Sequence, residues 1–267
     1  MRLSFVPTTP ARGDAELPTW PPLLATRGRG SRSLSHMHHA MHIVLALEGD
    51  LSLVAGKRPT MPIRAAGILT APDVPHAIDA EGVDVLLVFL EPESDVGSSL
   101  RAVVSGPARL ISAKERDDLL RDASGRIASD PRAIMHAGGV AWTQRVVSVL
   151  GGARIAEPRR IHPRVRKVLA ILRAMPSDAD TSLEALAEAV DLSPGRLMHA
   201  FSESIGVPLR PYLAWLRLQR AAGAIVSGLP LTHAAHAAGF ADAAHMSRTF
   251  RRMLGMAPSA LVRARRP

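Results

Sequence analysis

The stretch "LTHAAHAAGFADAAHMSRTFRRMLGMAP", residues 231–258, holds an alanine-rich segment, a Gly-Phe turn and a basic segment whose large apolar residues stand four apart. Ala235 precedes Phe240 by five positions, Met246 precedes Phe250 by four, and Phe250 precedes Gly255 by five. The earlier stretch "LEALAEAVDLSPGRLMHAFSESIGVP", residues 183–208, repeats those intervals from Ala187 to Leu192, Leu197 to Phe201 and Phe201 to Gly206. One residue of slack separates the two halves of the alignment.

Each copy has the same physical reading. A short helix carries a small alanine on its inner face, which lets a second helix cross it closely at a steep angle. A tight turn follows, "DLSPG" in one copy and "GFAD" in the other. Ser193 is a good N-cap with Pro194 at the first helical position, and Asp242 is the matching N-cap in the second copy. Leu197/Phe201 and Met246/Phe250 sit at i,i+4 and share one helix face. Gly206 and Gly255 end the helices. Helix, tight turn and crossed helix is the arrangement whose second member can enter a major groove. "PYLAWLRLQRAAGAIV", residues 211–226, predicts a long amphipathic helix between the copies. It would hold two reading helices near one helical turn of DNA apart, roughly 34 Å. A helical bundle with repeated packing is the plainer alternative; two copies on a basic background favour DNA.

That background is uneven. The chain has 33 Lys+Arg against 24 Asp+Glu, and residues 161–267 hold 14 of the former against 7 of the latter. Such a balance points to a polyanion, nucleic acid before membrane surface, unless it is only a solvated basic face. No cysteine is present, which excludes disulfides and thiolate metal sites and suits a reducing cytoplasm. The first twenty residues lack a signal peptide's apolar run, and "VDVLLVFL" is too short to span a bilayer. The expectation is a cytoplasmic protein without a membrane partner.

Residues about 166–263 resemble the DNA-binding domain of the AraC/XylS family of bacterial transcription regulators. Ala235, Gly239, Phe240, Ser247, Arg248, Phe250, Gly255 and Pro258 carry the match. Met246, Ala234 and Leu261 depart from the family's preferences, and each keeps an apolar side chain. The resemblance implies that residues 194–204 and 242–253 are recognition helices. Gly195, Arg196, Met198 and His199 would face DNA in the first, and Ala243, Ala244, Ser247 and Arg248 in the second. Arg196 and Arg248 can each form two parallel hydrogen bonds to guanine, at about 1–3 kcal/mol of discrimination. Arg248 suits a phosphate equally well. The alanines read only a thymine methyl or allow close approach. Arg251 and Arg252, like Arg210, Arg217 and Arg220, suit phosphates or solvent, which fix register rather than sequence choice.

The N-terminal half raises a separate question with "HMHHAMH", residues 36–42. On a strand, positions 36, 38 and 42 share a face and His39 points away. A partner strand carrying His76, from "APDVPHAI", would add a fourth imidazole. Imidazole suits zinc, nickel, cobalt, copper or iron(II). Three readings stay open: a divalent transition metal ion on His36, His38, His42 and His76; a small molecule bound directly by the same four; or histidines satisfied by backbone and water. Ligand histidines must be deprotonated, so metal occupancy would fall below about pH 6.

Short apolar runs with turn signals between them, from "HIVLALEGD" to "VDVLLVFLE", predict a small β sandwich or barrel. Residues about 33–92 resemble a cupin barrel, with His42 where metal-binding cupins carry Glu and one residue fewer before His76. Many AraC-family regulators resemble this architecture. The expected fold is multidomain α+β: an irregular arm at 1–32, a cupin-like sensor barrel at 33–95, a helical linker or dimerisation segment at 96–162, and an all-α DNA-binding domain with two helix-turn-helix units at 163–267. The function this implies is a non-enzymatic, effector-controlled transcription regulator, activator by family habit. Its partners would be double-stranded DNA, a small-molecule or metal effector, RNA polymerase and a second copy of the chain. The rival is a metal-dependent cupin enzyme, a dioxygenase or isomerase, fused to a helical domain. Against it, no general acid or base is evident beside the histidines, since Asp73 and Glu48 read as turn residues.

Overall fold

The structure, a computed structural model, describes residues 2–4, 23–56, 61–121, 140–151, 161–174, 179–226 and 228–265. Strands occupy the first part: β1 (Arg2–Ser4), β2 (Leu23–Arg29), β3 (Met41–Ala46), β4 (Leu51–Ala55), β5 (Ile63–Ala65), β6 (Gly67–Thr70), β7 (His76–Asp79), β8 (Asp84–Leu90) and β9 (Ala108–Ile111). They make two antiparallel sheets, one in the order β1-β2-β8-β3-β6-β9 and one in the order β5-β4-β7. Among the described residues the sheets do not close into the expected barrel. Isolated bridges from Arg32 to Asp79 and from His36 to His76, with hydrogen bonds between Ser33 and Ile78, tie the chain between β2 and β3 to the smaller sheet.

Side-chain alternation explains why β3 is apolar throughout. Met41, Ile43 and Leu45 face one core, and Val44 and Ala46 face another, so all six residues of the strand are buried. The first core is roofed by α1 (Asp95–Arg101), α2 (Ala113–Leu120) and α3 (Val140–Gly151), through Leu100, Leu119, Leu120, Trp142, Val146 and Leu150. The second lies between the sheets, where Leu51, Leu53, Ile68 and Ile78 meet Val44. Two stretches differ from the sequence reading. Residues 23–29, expected in an irregular arm, pair along their length with β8. Residues 108–111, expected in a helical linker, extend the large sheet through β6. The rest of the arm, 5–22, and residues 152–160 of the charged linker lie outside the described residues.

Everything described after residue 161 is helical: α4 (Pro163–Ala174), α5 (Leu183–Glu188), α6 (Pro194–Ile205), α7 (Leu209–Val226), α8 (Leu231–Ala237), α9 (Ala243–Leu254) and α10 (Ser259–Arg265). The expected caps are present. The Arg196 amide donates to Ser193 Oγ with Pro194 at N1, and the His245 amide donates to Asp242 Oδ1 at 2.6 Å. Gly206 (φ 92°) and Gly255 (φ 65°) end α6 and α9 in the left-handed conformation.

Two helix pairs result, α5–α6 and α8–α9, each with its own core. Ala187, Leu197 and Phe201 pack on Tyr212 and Leu216 of α7, whereas Ala235, Met246 and Phe250 pack on Trp215, Leu218 and Ile225 of the same helix. Ala40 and Phe89 of the sheet region join the second core, so strands and helices share a continuous apolar contact. Ala187 and Ala235 are essentially without solvent exposure, as close helix crossing requires. Enlarging one of them should therefore force the pair apart. Ala235→Leu is expected to lower stability by about 1–3 kcal/mol, measured as a shift of the urea unfolding midpoint.

Candidate effector site and DNA-facing helices

The backbone assembles the histidines. The His36 amide donates to the His76 carbonyl and the His76 amide to the His36 carbonyl, both at 2.9 Å, so these residues sit opposite one another. His42 lies on β3, where its amide donates to Thr70 Oγ1. His38 lies in the short connection between. Ring centroids within this group of four are 4.4–5.6 Å apart for the pairs in contact, and all four side chains are buried.

Hydrogen bonding then fixes which nitrogen is available. The Nδ1–H groups of His36, His38 and His76 donate to the carbonyls of Leu34 (2.8 Å), Ala40 (2.9 Å) and Val74 (2.8 Å). A carbonyl only accepts, so Nδ1 carries the proton in all three and Nε2 keeps its lone pair. His38 Nε2 accepts from His42 Nδ1–H at 3.1 Å, which sets the same tautomer at His42. His42 Nε2 and His76 Nε2 are buried with no partner among the described residues. Ligand atoms of His36, His38 and His76 lie within 4.8 Å of one another. Burial holds all four rings below the ordinary histidine value, His76 at about 4, with neighbouring imidazoles adding to the effect at His38, His42 and His76. The group is thus neutral near pH 7. Neutral, buried imidazoles drawn together, with their Nδ1–H groups held by backbone carbonyls, are what a metal-binding histidine set requires, although His38 Nε2 already accepts from His42.

His39 points the other way, as its position in the sequence predicts. Its Nδ1 meets Asp73 Oδ2 at 2.8 Å and its Nε2 meets Glu93 Oε1 at 2.9 Å. Burial opposes a charge on this ring, but the two carboxylate hydrogen bonds outweigh it and hold the value at about 9. Asp73 (φ 60°) is in a turn as read from the sequence, and also serves as a partner of His39. Glu48 is an exposed turn residue.

The cluster is not enclosed by strands alone. The His38 ring stacks on Trp215 of α7, with centroids 5.5 Å apart and planes at 23°, and His39 meets Tyr212 of the same helix edge-on at 5.8 Å. At Gly255, the cap of α9, a Cβ would come within 2.8 Å of both His36 Nδ1 and the Leu34 carbonyl oxygen. Glu91, at the end of the large sheet, pairs with Arg173 of α4, and burial raises its carboxyl despite that partner. Sequence reasoning missed Trp215, Tyr212, Glu91, Glu93 and Arg173. Nothing in their local pattern marks them, since α7 reads as a spacer and the contacts join segments 54 and more residues apart.

Most of the DNA-facing candidates lie away from the core of their helix pair, while Ala243 packs against the second core. Gly195, Arg196, Met198 and His199 of α6 are exposed, Met198 at 45% despite its apolar side chain. On α9, Ala244, Arg248, Arg251 and Arg252 are exposed, and Ala243 and Ser247 are half-buried. The family model of a helix-turn-helix domain matches residues 186–264. These residues form an AraC-type helix-turn-helix domain. None of the curated proteins matches the chain. Among solved structures, ToxT from Vibrio cholerae is similar over 91% of this chain and 98% of its own, with TM-score 0.60 and 12% identity. An unsaturated fatty acid-bound ToxT from Vibrio cholerae strain SCE256 is similar over 90% of this chain and 94% of its own, with TM-score 0.57 and 13% identity. The likeness shows a shared fold: a sheet-rich region followed by helices that include the AraC-type domain. No helix among the described residues is long and apolar enough to cross a membrane.

His39 supplies a test of how the sheet region is held. Glu93→Ala removes the buried one of its two carboxylate partners, leaving the half-exposed Asp73, and is expected to destabilise the protein by about 3–5 kcal/mol. Chemical unfolding followed by circular dichroism checks this.

Proposed function

We propose that this protein is a transcription regulator, acting in the cytoplasm and without enzymatic activity, whose sensory input is a divalent transition metal ion. His36, His38 and His76 would hold the ion through Nε2, with His42 beside them. The observation that carries the reading is the burial of these neutral, carbonyl-oriented imidazoles against the AraC-type domain itself. Three or four neutral nitrogen donors suit zinc, nickel, cobalt or copper, and a set without carboxylate or thiolate disfavours magnesium and calcium. The ion would keep its full charge, which accommodates an anionic co-ligand.

In the same reading α6 and α9 are two recognition helices entering successive major grooves. Arg196, Met198 and His199, with Gly195 allowing close approach, face bases from α6. Ser247 and Arg248, with Ala243 and Ala244, face them from α9, and Arg251 and Arg252 meet phosphates. RNA polymerase and a second copy of the chain are the expected protein partners.

The fatty acid bound to ToxT favours a second reading, an organic acid on the same histidines. Charge argues against it. Imidazoles held neutral by burial offer a carboxylate no counter-charge, and the one charged histidine, His39, already has two carboxylates.

Elemental analysis of protein purified without a histidine tag is expected to find about one transition metal ion per chain, lost in His38→Ala and in His76→Ala. A wild-type chain that retains no ion after dialysis against zinc overturns the metal reading. For the DNA face, Arg248→Ala is expected to weaken binding to a duplex selected by the protein by about 1–3 kcal/mol more than binding to mixed-sequence DNA. Equal losses on both would make Arg248 a phosphate contact.

A further inference from the structure

The lone pair on His38 Nε2 can serve one partner at a time. It now accepts the His42 Nδ1–H. An ion bound there takes that lone pair, so loading and the His38–His42 hydrogen bond exclude each other. His42 must turn away or offer a different nitrogen, and the space for that turn is bounded by Phe89, whose ring lies 5.5 Å from His42. Phe89 in turn lies 6.1 Å from Trp215 and 5.7 Å from His38. The other nitrogen of His38 is tied to the Ala40 carbonyl and its face is covered by Trp215. Trp215 is 2% exposed, and its indole N–H has no acceptor among the described residues. The His38 ring thus joins the histidine group through its nitrogens and α7 through its face.

We propose that Trp215 completes the histidine site, so that ion loading and the pose of α7 are thermodynamically linked. Because α7 carries the cores of both helix pairs, its pose sets both recognition helices together. Trp215 acts here as a positioning residue, through His38 and not by touching the ion. The inference rests on the metal reading above. By reciprocity, an ion that shifts DNA affinity must itself be bound with altered affinity when DNA is bound.

Zinc is the suitable probe, since it is redox-silent and tolerates an all-histidine site. Full-length protein carrying Trp20→Phe and Trp142→Phe leaves Trp215 as the single indole. Its emission is expected to change on zinc addition and to saturate at about one zinc per chain. In parallel, zinc affinity of the unaltered chain, measured by competition with a chromophoric chelator, is expected to change at least about fivefold on saturation with mixed-sequence duplex DNA. In Trp215→Phe, which keeps an aromatic ring but loses the wider indole face, that linkage is expected to fall below about twofold. Zinc binding with unchanged Trp215 emission and equal affinity with and without DNA overturns the linkage and leaves the metal reading standing. Should the two-tryptophan variant fail to fold, the Trp215→Phe comparison decides alone, and a linkage that survives it overturns the role of Trp215. Failure of the unaltered chain to compete for zinc removes both the metal reading and this inference.

Discussion

The bond from His38 Nδ1–H to the Ala40 carbonyl is the constraint on which the centre of this molecule depends. It turns the ring so that one nitrogen points into the cluster and one face lies against the helical region. A flipped ring would donate into the cluster, repel an ion and leave the Ala40 carbonyl buried without its partner. The same device recurs at His36 and His76, each with its own backbone acceptor two or so residues away. Local backbone geometry thus sets the orientation of three of the four rings.

The helical region meets the sheets through two chemically different contacts. Around Trp215 the contact is apolar and aromatic, with Ala40 and Phe89 reaching into the core of the second pair. Around Tyr212 it is ionic, with Glu91 on Arg173 and His39 held by Asp73 and Glu93. Buried charges add little net stability but are costly to break singly, so the ionic contact favours one docked arrangement over neighbouring ones. An aromatic contact is less directional and tolerates small shifts.

Much of the helical region was legible because its signals are local. Ser193, Pro194, Asp242, Gly206 and Gly255 each act within one turn, and the Leu197/Phe201 and Met246/Phe250 pairs need only helical periodicity. The four histidines were legible as a set from their spacing and from the turn that returns His76, although a continuous strand over 36–42 was assumed and β3 begins only at Met41, leaving His38 in a connection. Other features were not. Residues 23–29 are rich in Gly and Arg and read as irregular, yet β8 offers them a long partner, and pairing overrides propensity. Barrel closure was expected from resemblance, and the register gives two sheets instead. His42 was read as a ligand equal to the others, and the structure shows that it already serves as donor to His38. The seam residues were illegible for a different reason: Glu91, Arg173 and Tyr212 meet only after both halves have folded.

Gly255 leaves α9 resting directly on main-chain and ring atoms of residues 34 and 36. A contact made without a side chain on one partner is indifferent to most drift in the surrounding sequence. It tolerates replacement of Leu34, whose carbonyl alone takes part, and of residues that flank the cap. What it does not tolerate is the arrival of even a methyl group at the glycine, which would act as a shim and lift one end of the helix. Change at this position would therefore come in a single abrupt step rather than by gradual adjustment.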